Sequence, residues 1–295
     1  MPSAASSPDR PLGRDPAAEA PSRSPSPPPL VRCRHDTADL LARPDAAAGR
    51  VSECLFGERL EVLERLDGWC RVRNRRDGYA GYLPREALDE SVPPDAPSRL
   101  VGVRATLLFA EPDLKSPVRR RVTFGAELDL APGDDGGTPF APLLGGGFVW
   151  RAHCLRPGGA LEGTPVELAR RLYDGAPYRW GGRSPDGADC SGLVQGAALA
   201  AGLRLPRDSA DQEAFLERIV PPSERAASDL VFWPGHVALL IDADTLFHAT
   251  AHGLATAVEP LADVVARAGE PSSIRRLPAR GADPAGARRA AQPMS

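Results

Sequence analysis

Hydrophobic and polar positions alternate in short stretches between Leu30 and Leu88, and hydrophobic positions recur at helical spacing further on. Glu61-Val62-Leu63-Glu64-Arg65-Leu66 and Trp69-Cys70-Arg71-Val72-Arg73 alternate on either side of Asp67-Gly68, the pattern of two strands joined by a tight hairpin. Asp77-Gly78-Tyr79-Ala80-Gly81-Tyr82-Leu83-Pro84 continues the meander. A weaker copy follows from about Ser98 to Leu155. In it Phe124-Gly125-Ala126-Glu127-Leu128-Asp129-Leu130 stands where Phe56-Gly57-Glu58-Arg59-Leu60-Glu61-Val62 stood, and Gly147-Phe148-Val149-Trp150 ends it. The spacing predicts two small β-barrels, over residues 30–90 and 98–157.

Beyond a Gly-rich stretch at 156–163 the period changes. Pro165 to Tyr173 is amphipathic, with Thr164 as its cap and Pro in the first turn. Ser191 to Ala201 is rich in Ala and Leu and stops at Gly202. A short helix begins near Ser209 and reaches Leu216. Strands are expected at Asp229–Trp233, His236–Asp242 and Thr245–Thr250, with a last one near Ile274–Leu277. Helices first and antiparallel strands after make residues 164–278 an α+β domain.

Composition adds boundaries. Residues 1–29 are rich in Pro, Ser and Ala, too poor in apolar side chains to offset the entropy of ordering, and are expected to be disordered. The tail over 279–295 is expected to be loose as well. The Pro-rich stretch Glu90–Pro97 reads as a linker. There is no apolar run of the kind a secretory signal carries, and no window of eighteen apolar residues, so the expectation is a cytoplasmic protein with no membrane span. A net charge of −3 with mixed signs gives no nucleic-acid footprint. The five cysteines are odd in number and contain no Cys-x-x-Cys pair, which argues against a disulfide framework and against zinc.

One cysteine is placed for chemistry. Cys190 lies between a glycine-rich loop, Tyr178-Arg179-Trp180-Gly181-Gly182, and the helical run that follows. Only the thiolate attacks well, and the unpaired amides of a first helical turn favour it. The Cys190 N–H is then a candidate oxyanion donor, and an imidazole could complete an ion pair and carry the proton. His236 and His248 lie in strand-like settings downstream. Cys190 taken alone also reads as a small buried hydrophobe, and either histidine as a hydrogen-bonded strand or core residue. The glycine-rich approach, the flanking Asp189 and Ser191, and the two histidines tip the reading toward a nucleophile. His252, four residues after His248, raises a metal option. A strand does not bring residues four apart together, so no metal is expected and His252 is assigned to a loop.

The segment from about Thr164 to Leu277 resembles the NlpC/P60 family of papain-like cysteine peptidases. The matching residues are Tyr178-x-Trp180-Gly181-Gly182, Asp189-Cys190-Ser191-Gly192, Leu205-Pro206-Arg207-Asp208-Ser209 with Gln212, Asp229-Leu230-Val231-Phe232, His236-Val237 and His248-Ala249. Ala227-Ser228 stands where the family usually has Pro-Gly, and only Trp233-Pro234-Gly235 separates Phe232 from His236. The resemblance implies Cys190 as nucleophile, His236 as general base, His248 as the residue orienting His236, and Tyr178 near the oxyanion. It implies no cofactor, and a murein peptide as substrate, cut between γ-D-glutamyl and a diamino acid. The first barrel resembles a bacterial SH3-like domain. The chain as a whole resembles the subgroup in which such a barrel closes one end of the groove, admitting only peptides with a free N-terminal L-Ala. On that likeness Glu58, Tyr79, Asp189, Ser191 and Ser209 would form the amine pocket. An ammonium entering a partly dry site needs carboxylate and hydroxyl acceptors. Glu58 also reads as a turn residue, Tyr79 as a barrel aromatic and Ser209 as a helix cap. A thiol amidase or acyltransferase on the same core, or a wall-binding module without catalysis, are the alternatives.

Overall fold

Seven short strands come first: β1 (Leu30–Cys33), β2 (Thr37–Leu41), β3 (Arg50–Leu55), β4 (Arg59–Leu66), β5 (Trp69–Asn74), β6 (Ala80–Pro84) and β7 (Leu88–Asp89). The computed structural model describes residues 27–91, 98–132, 136–156 and 158–279. Most of both tails, and residues 92–97 of the stretch read above as a linker, lie outside the described residues. The first sheet runs β3-β2-β6-β5-β4-β1-β7 and curls around Leu40, Leu60, Val72 and Leu83, all at most 1 % exposed. Gly68 takes the positive φ that the Asp67-Gly68 hairpin requires.

The second barrel contains β8 (Ser98–Val101), β9 (Ala105–Phe109), β10 (Val118–Thr123), β11 (Glu127–Asp129), β12 (Phe140–Pro142), β13 (Phe148–Trp150) and β14 (Cys154–Leu155). Its sheets, β10-β9-β13-β12 and β11-β8-β14, enclose Val101, Leu108, Val122, Leu128 and Val149. The sequence repeat is a structural repeat. Gly57 and Gly125 both have positive φ, and their amides bond back to Cys33 and Val101 at the ends of β1 and β8. The two turns meet, the Glu127 amide donating to the Phe56 carbonyl at 2.8 Å.

The third unit holds α1 (Pro165–Tyr173), the two-residue strands β15 (Arg183–Ser184) and β16 (Gly187–Ala188), α2 (Cys190–Ala200) and α3 (Ser209–Phe215). Then come β17 (Leu230–Trp233), β18 (His236–Leu240), β19 (Thr245–Thr250), β20 (Ala255–Pro260), α4 (Leu261–Ala268) and β21 (Ser273–Arg275). Thr164 and Glu167 cap α1 reciprocally. The sheet is antiparallel in the order β20-β19-β18-β17-β21. Every residue of α2 except Leu199 is buried, between α1 and the sheet. β20 and α4 are not anticipated in the sequence. β20 is an edge strand whose side chains stay partly exposed, so it lacks the apolar alternation that marks its neighbours. Among the described residues no helix is long and apolar enough to cross a membrane.

Candidate active site

Cys190 is the first residue of α2, with Asp189 as its N-cap. One Asp189 oxygen accepts from the Gly192 amide at 2.7 Å and the other from the Gly181 amide at 2.8 Å, so a single carboxylate ties the helix start to the glycine loop. The approach is close enough to demand glycine: a Cβ on Gly192 would lie 2.1 Å from the Gly182 carbonyl oxygen. The Cys190 N–H belongs to the first turn, whose amides have no intrahelical acceptor. Its Sγ sits 4.0 Å from the Gly235 carbonyl oxygen and receives the Val237 amide, so it lies against the backbone on both sides of His236.

His236 opens β18, directly after the turn formed by Pro234 and Gly235. Its Nε2 is 2.8 Å from Nδ1 of His248 on β19, which leaves His236 Nδ1 as the nitrogen not occupied by His248. The rings cross at 65° with centroids 5.0 Å apart. His248 is 1 % exposed. Tyr178 is half-buried on the loop before α2 and packs against the core that contains Cys190.

Burial decides the charge state at rest. It pushes the Cys190 thiol up to about 11, helped by the Asp189 charge and only partly opposed by the Val237 and Ser191 amides. It pushes His236 down to about 4, with the His248 and Arg267 fields acting in the same direction. Desolvation also lowers His248 and raises Tyr178 to about 12. Burial thus favours the neutral form of both cysteine and imidazole, against the pull of the helix terminus toward the ion pair. The tyrosine keeps its proton and remains a donor.

The groups expected to bind an amine are only partly brought together. Glu58 is a correction. It is fully buried, with its oxygens taken by Arg76 and Arg183 at 2.9 to 3.1 Å, Asn74 at 2.8 Å and the Leu55 amide at 2.9 Å, so it joins the first barrel to the third unit and faces no ligand. The cations hold its carboxyl below its usual range despite burial, which alone would raise it. Asp189 and Ser191 are each 6 % exposed, and their polar atoms bond to one another and to Arg207. They brace the loop instead of lining an open pocket. Tyr79 does reach the third unit, donating from Oη to Asp208 at 3.2 Å, and Ser209 starts α3 beside it, with Asp208 in the cap position. His252 lies in a turn, as expected of a loop residue.

Three residues carry weight that the sequence reading did not assign. Glu53 is fully buried on β3. One of its oxygens accepts the Arg183 and Ser184 amides at 2.9 and 3.0 Å, and the other holds Arg179. Arg207, 2 % exposed, bonds to both Asp189 oxygens and to Ser52. Asp208 offers an exposed carboxylate at the seam between barrel and third unit. The Leu-Pro-Arg-Asp-Ser run contains two of them, but burial of the arginine and exposure of the aspartate are not readable from it.

Comparison with known proteins agrees with this architecture. The profile of the NlpC/P60 family matches residues 175–265, and that of the bacterial dipeptidyl-peptidase SH3 domain matches residues 40–88. Dipeptidyl-peptidase 6 of Lysinibacillus sphaericus is 32 % identical over 238 residues, which cover 73 % of this chain and 86 % of that one. The gamma-D-glutamyl-L-lysine dipeptidyl-peptidase of Bacillus subtilis is 25 % identical over 232 residues, 72 % of this chain and 77 % of its own. An NlpC/P60 family protein from Bacillus cereus superposes with a TM-score of 0.71 at 19 % identity, covering 84 % of this chain and 99 % of that one, and so shares the fold. With a relative of this identity matched over most of its length, and with the family's profile on the segment that holds Cys190, His236 and His248, the chain belongs to the NlpC/P60 family of cysteine peptidases.

Proposed function

We propose that the protein hydrolyses the γ-D-glutamyl–diamino acid bond of short murein peptides that carry a free N-terminal L-Ala. The observation that carries this reading is Cys190 at the start of a buried helix, against the backbone on either side of His236, with His236 in turn bonded to His248. In the reaction, Cys190 Sγ attacks the γ-carbonyl carbon of D-Glu as its proton passes to His236 Nδ1. The Cys190 N–H and the Tyr178 hydroxyl donate to the oxyanion. His236 then protonates the departing amine as the C–N bond breaks, leaving a thioester. Water, deprotonated by His236, releases the dipeptide and restores the thiol. With burial favouring the neutral forms of both groups, the thiolate forms as the nucleophile attacks.

Asp208 and Tyr79, with Ser209 alongside, are the groups offered to the L-Ala ammonium: an exposed carboxylate whose orientation a phenol fixes from across the domain seam. The similarity to enzymes named as dipeptidyl-peptidases supports a cut that leaves a dipeptide. A cytoplasmic setting, in recycling of wall peptides, belongs to the same reading. All five cysteines are free, as suits a reducing compartment.

The test is turnover of L-Ala-γ-D-Glu-meso-diaminopimelate against its N-acetylated twin, read by mass spectrometry, with Cys190→Ser as the blank. Release of L-Ala-D-Glu from the free-amine peptide alone is the expected result. Equal cleavage of both would remove the amine pocket, and cleavage of neither by the folded protein would remove the reading.

A further inference from the structure

Behind the two histidines lies a charged pair that the reaction above does not use. Glu259 sits on β20 and Arg267 on α4, and the two form an ion pair. Strand register aims the carboxylate. His248 stands directly opposite Ala257, and Glu259 is two residues further along the same face, a diagonal neighbour across the β19–β20 pair. The small side chain of Ala257 leaves the path between them open. Glu259 Oε1 is 3.7 Å from His248 Nε2. That nitrogen is buried and makes no hydrogen bond to any other described residue.

The consequence is a matter of tautomers. A neutral imidazole carries one proton, on one of two nitrogens, and the partner of one nitrogen settles the state of the other. A carboxylate facing His248 Nε2 draws the proton there and leaves Nδ1 as an acceptor. His248 Nδ1 is the atom that meets His236 Nε2, so His236 must be the donor in that bond. Its proton is then on Nε2, and its Nδ1 lone pair is free to take the proton of Cys190. With the order reversed, the His236 proton sits on Nδ1 and the ring cannot act as a base toward the thiol. We infer that Glu259 is a positioning residue for the peptidase reaction, acting through His248 to hold His236 in the one tautomer that can deprotonate Cys190, with Arg267 fixing the Glu259 carboxylate. This rests on the assignment of Cys190 and His236 above.

The distances fit a contact that tightens during the reaction. At 3.7 Å the His248–Glu259 approach is too long for a completed hydrogen bond, and closing by about 0.8 Å would make one. Hydrogen bonds of this kind are commonly long in unliganded enzymes and shorten when charge develops. Once His236 becomes imidazolium, the His248 Nδ1 acceptor and the negative Glu259 both favour it. Arg267 keeps the carboxyl ionised, holding it below its usual range, and its own charge opposes protonation of both imidazoles.

The experiment uses the full chain, ¹⁵N-labelled at histidine, as wild type, Glu259→Ala and Glu259→Gln. The five histidines make individual imidazole assignment practical. Long-range ¹H–¹⁵N spectra report the tautomer, and peptide turnover gives kcat and KM separately. In the wild type His248 is expected to be protonated at Nε2. In Glu259→Ala it shifts toward the Nδ1 form and kcat falls roughly ten- to a hundred-fold, the usual effect of losing an outer partner of a catalytic imidazole, with KM within about two-fold. Glu259→Gln keeps an acceptor oxygen and is expected to retain the wild-type tautomer and most of kcat. An unchanged His248 tautomer in Glu259→Ala, or a kcat within about two-fold of wild type, overturns the inference. Should Glu259→Ala not fold, Glu259→Met, which fills similar space without an acceptor oxygen, decides by the same two readouts: a wild-type tautomer or a kcat within about two-fold of wild type again overturns the inference. A Gln variant with the wild-type tautomer but a hundred-fold loss of kcat would mean that charge, not orientation, is what Glu259 supplies. The failure of the parent reading is separately visible, because Cys190→Ser and the wild type would then turn over peptide alike or not at all while the tautomer measurement still stands.

Discussion

Replacing Arg207 with Met tests how the nucleophile loop is held. The guanidinium is 2 % exposed, bonds to Asp189 at 3.0 and 2.7 Å, and reaches Ser191 at 2.9 Å, Ser52 at 3.1 Å and the Gly182 carbonyl at 3.4 Å. Methionine has similar bulk and no donors. The change leaves Asp189 buried with a full charge and only the Gly181 and Gly192 amides as strong partners. Breaking a buried pair from one side costs about 3–5 kcal/mol, because the other charge remains in place. In a chain of this size that corresponds to a fall in Tm of roughly 6–20 °C. Removing both charges should recover much of the loss, since the uncompensated carboxylate is its main source. Asn at 189 also remains a good helix cap. The assay is calorimetric and chemical denaturation of wild type, Arg207→Met, Asp189→Asn and the double variant. A single variant within about 1 kcal/mol of wild type, or a double variant no more stable than Arg207→Met, would refute the argument that these two charges depend on each other.

Two further outcomes follow from the geometry. The neutral resting pair predicts that alkylation of Cys190 by iodoacetamide in the free enzyme rises about tenfold per pH unit from pH 6 to 9, tracking a thiol pushed up to about 11; a rate independent of pH in that range would show a preformed thiolate–imidazolium pair. Gly196→Ala places a Cβ 1.9 Å from the Tyr173 hydroxyl, which is buried and donates to the Arg183 carbonyl at 2.9 Å. Despite the roughly 1 kcal/mol that alanine gains in helix propensity, a net loss of about 2 kcal/mol by urea titration is expected, and a neutral or stabilising change would contradict the packing described.

Much of this arrangement is legible in the chain. Asp67-Gly68 marks a hairpin because only a turn residue tolerant of positive φ fits there, and Gly202 stops α2 for the same reason. The site cysteine and both histidines stand out because a glycine loop, a helix start and two short strands are local patterns. What the sequence hides is direction. Glu58 and Glu53 look like ordinary barrel carboxylates, yet both are fully buried beneath arginines more than a hundred residues away. Asp189 looks like a ligand to an amine until Arg207 is found against it. Glu259 lies on an edge strand with little hydrophobic alternation, and its significance depends on a register that no local pattern encodes.

Arg183 draws its counter-charges from Glu58 and Asp77, and its loop hangs from Glu53, all on the first barrel. The catalytic segment is thus not a transferable module. Cut from its barrel, it would carry a bare cation in its interior and a nucleophile loop without its anchor. The order of synthesis suits this dependence. The barrel leaves the ribosome first and folds through local hairpins, so the carboxylates are in place when Arg183 emerges. The barrel thereby serves as an intramolecular template for the enzyme it precedes. Domain shuffling in this lineage must then move the catalytic segment together with its barrel, or lose the enzyme.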